Sequence, residues 1–309
     1  MLSRILVTGG AGFIGSHVVE ALLDSGSIVV VVDNLSTGKS RNLPDGVPLH
    51  VADVADEEAA RLVETFRPHC VVHLAAQASV GVSTKDPVLD CRTNVLGTVR
   101  MLDAAHRCGC GRFVFASSAA VYGVPGQIPV SEDHPVGPLS FYGLSKASAE
   151  RYVREYSRRG IDCAILRYAN VYGPRQDTQG EAGVVAVFVD LLVRGGRPVI
   201  HGDGTQSRDF VYVKDVAAAT ASVALRGSGG AGTLNIGTGR ETTVNRLLEM
   251  AAAACGRRVE PLYGERREGD IHRSVLDVSG AGENLGWKAG WSLDDGLRET
   301  VLWYSGSGR

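Results

Sequence analysis

A short apolar run, Arg4–Thr8, leads directly into Gly9-Gly10-Ala11-Gly12-Phe13-Ile14-Gly15, and a helical pattern starts before the glycines end. Repeated glycine at a strand-to-helix junction lets backbone pass close to backbone. It also opens the first amides of the helix, with the positive end of its dipole, to an anionic ligand. Gly9, Gly12 and Gly15 fit a G-x-x-G-x-x-G spacing, and Gly10, Gly12 and Gly15 fit G-x-G-x-x-G. Between a strand and a helix this predicts a dinucleotide pyrophosphate site. Asp33 closes the second apolar run. Its carboxylate there accepts from both adenosine ribose hydroxyls and repels a 2′-phosphate, favouring NAD over NADP; Lys39 and Arg41 are the neighbours that speak for NADP.

The first half continues in the same rhythm. Ser27–Val32, Val47–Val51, Cys70–Leu74, Arg112–Ala116 and Asp162–Leu166 read as further strands. Their near-continuous β-branched character suits a parallel sheet covered on both faces. Helical patterns fall at 14–24, 55–66, 88–107 and 141–159. The alternation predicts an α/β fold, a Rossmann-type doubly wound parallel sheet with right-handed crossovers. After Leu166 the rhythm breaks into a loop at Tyr172–Gly183, an apolar helix at Val184–Val193 and a strand at Pro198–His201. The expected organisation is a NAD-binding domain over 1–167, with 209–238 returning to it, and a smaller substrate-facing part formed by 168–208 and 239–309.

Tyr142 and Lys146 stand four apart, on one face of a helix if 141–159 is helical. A phenol with a pKa of about 10 is a poor base at neutral pH. A lysine ammonium one turn away, together with a positive nicotinamide ring, would favour the phenolate. Ser118, just beyond the run Arg112–Ala116, is placed to hydrogen-bond the same substrate oxygen. Tyr142, Lys146 and Ser118 are therefore the candidate catalytic residues.

Charged residues make up 21% of the chain and the formal net charge is −2, which gives no reason to expect nucleic acid or a membrane surface as partner. No run approaches the roughly 18 apolar residues of a spanning helix, and the start lacks a signal-peptide layout, so the cytosol is the expected compartment. The six cysteines, Cys108-Gly109-Cys110 included, lack zinc spacing, and no metal is expected.

With these residues in view, the chain resembles the extended short-chain dehydrogenase/reductase superfamily. The likeness rests on Thr8–Gly15, Leu74-Ala75-Ala76, Asn94, Ser117–Gly123 and Tyr142–Lys146. Within it, Leu166–Arg175, Gly202–Phe210 and Arg267-Glu268-Gly269-Asp270 are similar to nucleotide-sugar 4-epimerases of the UDP-galactose 4-epimerase type. The resemblance spans nearly the whole chain. It implies a cofactor surface of Gly9, Gly12, Phe13, Ile14, Gly15, Asp33, Asn34, Asp53, Val54, Leu74, Ala75, Ala76, Asn94, Tyr142, Lys146 and Tyr168, with Asp53 at the adenine. It implies substrate contacts from Ser79, Ser117, Ser118, Ala119, Asn170, Val185, Arg208, Arg267, Asp270 and Ser274. Arg208 and Arg267 would clamp the diphosphate, Asp270 would hold the uridine ribose, and Asn170 would touch the diphosphate sugar. Two guanidinium forks on one dianion make physical sense. A homodimer through helices near 88–107 and 141–159 is also implied, in keeping with their amphipathic pattern.

The implied reaction is a transient oxidation. Tyr142 takes the proton of the sugar 4-hydroxyl while bound NAD accepts hydride from C4; the 4-keto sugar turns over and receives the hydride on its other face. Related dehydratases carry an Asp-Glu pair at the positions of Ala119 and Ala120, and related decarboxylases a Glu at the second. Alanine supplies no such acid or base, which favours epimerisation. UDP-glucose/UDP-galactose is the first-ranked substrate pair. UDP-glucuronate is second, with Arg175, Arg273 or the hydroxyls near Ser79 and Ser83 as partners for its carboxylate. UDP-N-acetylglucosamine is third, because Ser274 stands at a gate position that is a bulky Tyr in some members. A regulator that senses dinucleotide without catalysis is the alternative from another class, and it has no need of Tyr142, Lys146 and Ser118 together.

Overall fold

The computed structural model describes residues 3–178, 183–227, 231–266 and 269–307. Strands β1 (Arg4–Thr8), β2 (Ile28–Asp33) and β3 (Leu49–Val51) alternate with helices α1 (Phe13–Asp24) and α2 (Glu57–Phe66). β4 (Cys70–His73) is followed by two short helices, α3 (Val80–Lys85) and α4 (Pro87–Cys91), a π-helical segment at Arg92–Leu96, and α5 (Gly97–Arg107). β5 (Arg112–Ser118), α6 (Phe141–Arg158) and β6 (Asp162–Tyr168) complete the first half. The helix expected at 88–107 is present as helical backbone that runs without a gap from Pro87 to Arg107, with a π-helical turn at Arg92–Leu96 inside it. Asp86 accepts from Leu89 N at 2.9 Å and Pro87 takes the first turn, where its missing N–H costs nothing.

The second half runs β7 (Asn170–Tyr172), α7 (Val184–Val193), β8 (Val199–His201), β9 (Ser207–Tyr212), α8 (Val213–Leu225) and β10 (Gly232–Ile236). Then come β11 (Glu241–Thr243), α9 (Val244–Ala254), β12 (Leu262–Gly264), β13 (Arg273–Ser274), α10 (Ser279–Leu285) and α11 (Leu293–Leu302). Among the described residues the main sheet has seven parallel strands in the order β10-β6-β5-β4-β1-β2-β3. This is the doubly wound Rossmann order with one strand added, so every strand's C-terminal end faces one edge. β9 pairs with β7, β11 and β13 in a smaller sheet, and β8 pairs with β12.

Strand alternation divides the core. Ile5, Val7, Val29 and Val31 pack against Val18, Val19 and Leu22 of α1 and the alanine-rich α8. Leu6, Val32, Val71 and Phe113 face the other way, against Met101 and Leu102 of α5 and Val153 of α6. Both faces are dry, which is why the strands read as unbroken apolar runs. A third cluster joins α7, α9 and α11 over the small sheet, with Phe188, Leu192, Leu247 and Leu297 buried.

One buried ion pair fastens α6 to the sheet. The Arg167 guanidinium meets the Glu150 carboxylate by a fork, Nε to Oε1 at 2.9 Å and Nη2 to Oε2 at 2.7 Å, with both side chains almost fully buried. Ser117 Oγ donates to Glu150 Oε1 at 2.6 Å and Arg167 Nη1 donates to the Tyr122 hydroxyl at 2.9 Å. Burial alone would raise the Glu150 carboxyl, but the guanidinium holds it below the usual range. Glu150→Ala leaves Arg167 buried without its counter-charge and should cost about 3–5 kcal/mol. The expected result is a clearly lowered thermal midpoint, with a smaller drop in the double variant Glu150→Leu/Arg167→Met; equal drops would contradict the pair's role.

Candidate active site

The strand ends converge on the glycine-rich turn. Gly9 adopts φ +70°, and a Cβ there would lie 2.6 Å from Ala75 N. A Cβ on Gly15 would lie 2.0 Å from Gly9 O, so only hydrogen fits between α1 and the turn. Gly12 starts α1 with no side-chain cap. The first amides, at Phe13 and Ile14, are therefore available to an anion at the positive end of the helix. Asp33 is 6% exposed; its Oδ2 accepts from Ala11 N and its Oδ1 from Leu35 N, both at 2.9 Å. A carboxylate has about four lone-pair sites, so it retains capacity for ribose hydroxyls.

Around this cradle, Leu74 N donates to Thr8 O at 3.1 Å and Ala75 N to Thr8 Oγ1 at 3.3 Å, which holds 74–76 against the turn. Asp53 accepts from Ala55 N at 2.8 Å and from Arg92 Nη1 at 2.9 Å, and its side chain also bonds Asn34. Val54 packs beneath, buried, where Gly97 passes close by. The narrow turn, the uncapped helix end and the buried Asp33 carboxylate fit a dinucleotide.

The chemical corner forms where β5 meets α6. Ser140 caps α6, accepting from Gly143 N at 3.1 Å. A Cβ on Gly143 would lie 2.7 Å from Ala120 O, so the helix abuts the 119–121 turn. Tyr142 and Ser118 are hydrogen-bonded to each other. Ser118 Oγ also accepts from Ala120 N at 3.2 Å. Lys146 is 3% exposed, donates to Ala116 O at 2.9 Å, and has its ammonium 4.9 Å from the centre of the Phe115 ring. Burial pulls Lys146 down to about 8, opposed by Asp90 and Glu150. Burial lifts the Tyr142 phenol above its usual range; the Ser118 hydrogen bond lowers it and Asp90 adds to the rise. The proximity of Lys146 alone therefore does not deliver a phenolate here.

Four expected contact residues turn elsewhere. Ser117 follows the strand pleat away from Ser118 and bonds Glu150. Tyr168 is buried with its hydroxyl 2.7 Å from Thr220 Oγ1, and Val185 is 2% exposed within the α7–α9 cluster. Asn94 is 1% exposed and spends its amide within the protein: its two Nδ2 hydrogens are shared among Gln77 O, Asp90 Oδ1 and Ser145 Oγ, all within 3.0 Å, and Oδ1 accepts from Gln77 N. It is a joint between segments rather than a free polar edge. Gln77 went unrecognised in the sequence, whereas His73 reads there as a structural hydrogen-bonding residue at a strand end, and it is one. His73 is buried between Thr8 Oγ1, 2.7 Å away, and Thr98 Oγ1, 3.0 Å away, and burial with Lys146 nearby drives it down to about 3, so it stays neutral.

At the small sheet, register sets Ser274 opposite Arg208. Arg208 is ion-paired with Asp270, and Nη1 donates to Ser207 O at 2.8 Å. Asn170 is exposed at the start of β7, with Nδ2 3.3 Å from Asp209 O. Ala119 is half-buried at the turn after Ser118, and Ser79 caps α3 by accepting from Val82 N at 3.1 Å. Arg267 lies outside the described residues. Of the groups considered for a hexuronate, Arg175 is paired with Glu20 on α1, Arg273 with Glu241, and Ser83 Oγ donates to Val80 O.

The fold and this corner define a dinucleotide-dependent enzyme of the short-chain dehydrogenase/reductase class. Residues 5–237 match the model of the NAD dependent epimerase/dehydratase family, and the chain belongs to that family. It is 43% identical over 309 residues to UDP-glucose 4-epimerase of Mycolicibacterium smegmatis, covering 97% of this chain and 98% of that one. Among solved structures, UDP-glucose 4-epimerase of Thermotoga maritima with UDP-glucose superposes with TM-score 0.94 at 44% identity, covering 98% and 99% of the two chains. The Thermus thermophilus UDP-glucose 4-epimerase complex with NAD gives TM-score 0.91 at 42% identity, with the same coverage.

Gly15→Val puts a branched side chain onto Gly9 O. NAD affinity measured by titration calorimetry should fall at least about tenfold, a loss of roughly 1.4 kcal/mol; unchanged affinity would contradict the close approach as the reason for glycine.

Proposed function

We propose that the protein interconverts UDP-glucose and UDP-galactose by NAD-dependent 4-epimerisation. The observation that carries this is the Ser118–Tyr142–Lys146 corner, set beside the glycine cradle and followed by Ala119 and Ala120 instead of acid or base groups. The relatives' activity at over 40% identity supports it.

NAD held at the glycine cradle and Asp33 would supply the acceptor and donor of the C4 hydride, and a positive ring that favours the phenolate. The chain handles the proton. Tyr142 Oη accepts the proton of the C4 hydroxyl, and Ser118 Oγ orients that hydroxyl through its bond to Tyr142. The Lys146 ammonium, fixed on Ala116 O, favours the charged phenol. After the keto sugar turns, Tyr142 Oη returns the proton to the C4 oxygen, and with the hydride returned to the other face of C4 no net oxidation would result.

The seven-stranded part serves the dinucleotide, and the small sheet with α7, α9 and α11 serves the nucleotide sugar. Arg208 exchanges Asp270 for the substrate diphosphate, and Asp270 then accepts from ribose hydroxyls. Ser274 opposite Arg208 favours a 2-acetamido sugar as the second substrate reading. A hexuronate is the other alternative, and its carboxylate would need Arg175 or Arg273 to exchange Glu20 or Glu241 in the same way. A homodimer is supported by the exposed apolar side chains Val88, Leu89, Leu96, Phe141, Leu144 and Tyr152 on α4, the π segment and α6. Among the described residues no helix is long and apolar enough to cross a membrane. Six free cysteines support a reducing compartment such as the cytosol.

Tyr142→Phe should lower kcat for UDP-galactose conversion about 10²–10⁴-fold while NAD and UDP still bind; near-normal turnover would overturn the proton assignment. Ser274→Tyr should cut conversion of UDP-N-acetylglucosamine more than that of UDP-glucose, both followed by NMR. Equal loss would rule out a gate.

A further inference from the structure

Asp90 is a buried carboxylate that the reaction just described does not use. It lies on α4, one turn before Asn94, and is 1% exposed. Burying a charge is costly unless something compensates it, and structures keep such charges where they do work. Among the described residues Asp90 makes no ion pair. What holds it are two amide donors on one oxygen: Gln77 Nε2 at 2.8 Å and Asn94 Nδ2 at 3.0 Å, both to Oδ1.

Both donors lead to the site. Gln77 is tied to Ser79 twice, Nε2 to Ser79 O at 2.9 Å and Oε1 from Ser79 N at 2.6 Å, so it shapes the loop leaving β4. Asn94 Nδ2 also reaches Ser145 Oγ at 3.0 Å, and Ser145 Oγ donates to Tyr142 O at 3.0 Å. One carboxylate therefore stands at the root of two branches. The first ends in the 77–79 loop and the second in the backbone of the residue that moves the proton. The π-helical turn at Arg92–Leu96 brings Asn94 to this junction.

We propose that Asp90 is a positioning residue for proton transfer at Tyr142, locking the 77–79 loop and the start of α6 together and setting the electrostatic field beneath them. This rests on the epimerase reading of the site. The other charges nearby are already committed. Glu150 is paired with Arg167 and Arg154, and Arg92 with Asp53 and Asp56. On α5, Asp103 bonds Tyr156 at the far end of α6. Arg112 on β5 pairs with Asp162 on β6, and Lys85 on α3 is exposed. His73 on β4 is neutral. Asp90 is thus the carboxylate outside these pairs that acts on both Lys146 and Tyr142, and it favours the protonated form of each.

Because both hydrogen bonds fall on Oδ1, Asp90→Asn removes the charge and keeps the acceptor, while Asp90→Ala removes both. Wild-type turnover of UDP-galactose is measured first, and its absence would sink the epimerase reading by itself. The Tyr142 titration is then followed without turnover, by ultraviolet difference spectra against the Tyr142→Phe background. Asp90→Asn should move this titration, and both limbs of the kcat profile, to lower pH by about half a unit or more, roughly a threefold change in proton affinity. Asp90→Glu, which keeps the charge, should leave the titration in place. Asp90→Ala should in addition lower kcat at least about tenfold with little change in KM. An unmoved titration in Asp90→Asn, an equal shift in Asp90→Glu, or a uniform loss of folded protein with an unchanged pH profile would each overturn the proposal. If Asp90→Asn does not fold, the Glu and Ala variants still decide it.

Discussion

The structure depends on the approach of α6 to the end of β5. Lys146 buries its ammonium there against Ala116 O and the Phe115 ring. A buried ammonium without a carboxylate in contact is expensive, and its pull down to about 8 reflects that cost. The cost is offset by surroundings that fix the helix tightly. The Glu150–Arg167 fork lies one turn further along, and the Ser140 cap and the close passage of Gly143 over Ala120 hold the helix start. With α6 fixed, Tyr142 can only sit beside Ser118, at the same sheet edge as the glycine cradle.

The second consequence concerns charge. Burial works against a phenolate at Tyr142, and the Ser118 hydrogen bond works the other way. On the proposed mechanism, positive charge at the cradle is what tips this balance towards the base. His73 contributes by staying neutral. As a hydrogen-bonding spacer between Thr8 and Thr98 it ties the cradle to α5 without adding a second positive charge next to Lys146.

Much of this was legible in the sequence, because it depended on spacing. The glycines between strand and helix, Asp33 at the end of β2, and Tyr142 with Lys146 one helical turn apart are local patterns that survive folding unchanged. What could not be read was direction and commitment. Adjacent serines look alike in a sequence, yet the pleat sends Ser118 to the site and Ser117 to Glu150. Tyr168 and Val185 lie at plausible positions but their side chains complete cores. The helix expected over 88–107 forms, with Asp86-Pro87 at its start, but the π turn at Arg92–Leu96 that rotates its face carries no local spacing signal. Arg208 and Asp270 were expected to grip different parts of one ligand, and the structure pairs them with each other. Such pairings over long sequence separations carry no local signature, and Gln77 and Asp90 went unseen for the same reason.

On the proposed mechanism the hydrogen removed from C4 is held within the complex and returned to the same carbon. UDP-galactose carrying deuterium at C4, incubated in ordinary water with the protein and no added reductant, tests this directly. Mass and NMR analysis of the product should show UDP-glucose with the deuterium retained at C4. Loss of the label to solvent would mean that C4 is deprotonated as an acid, and the hydride account would be wrong.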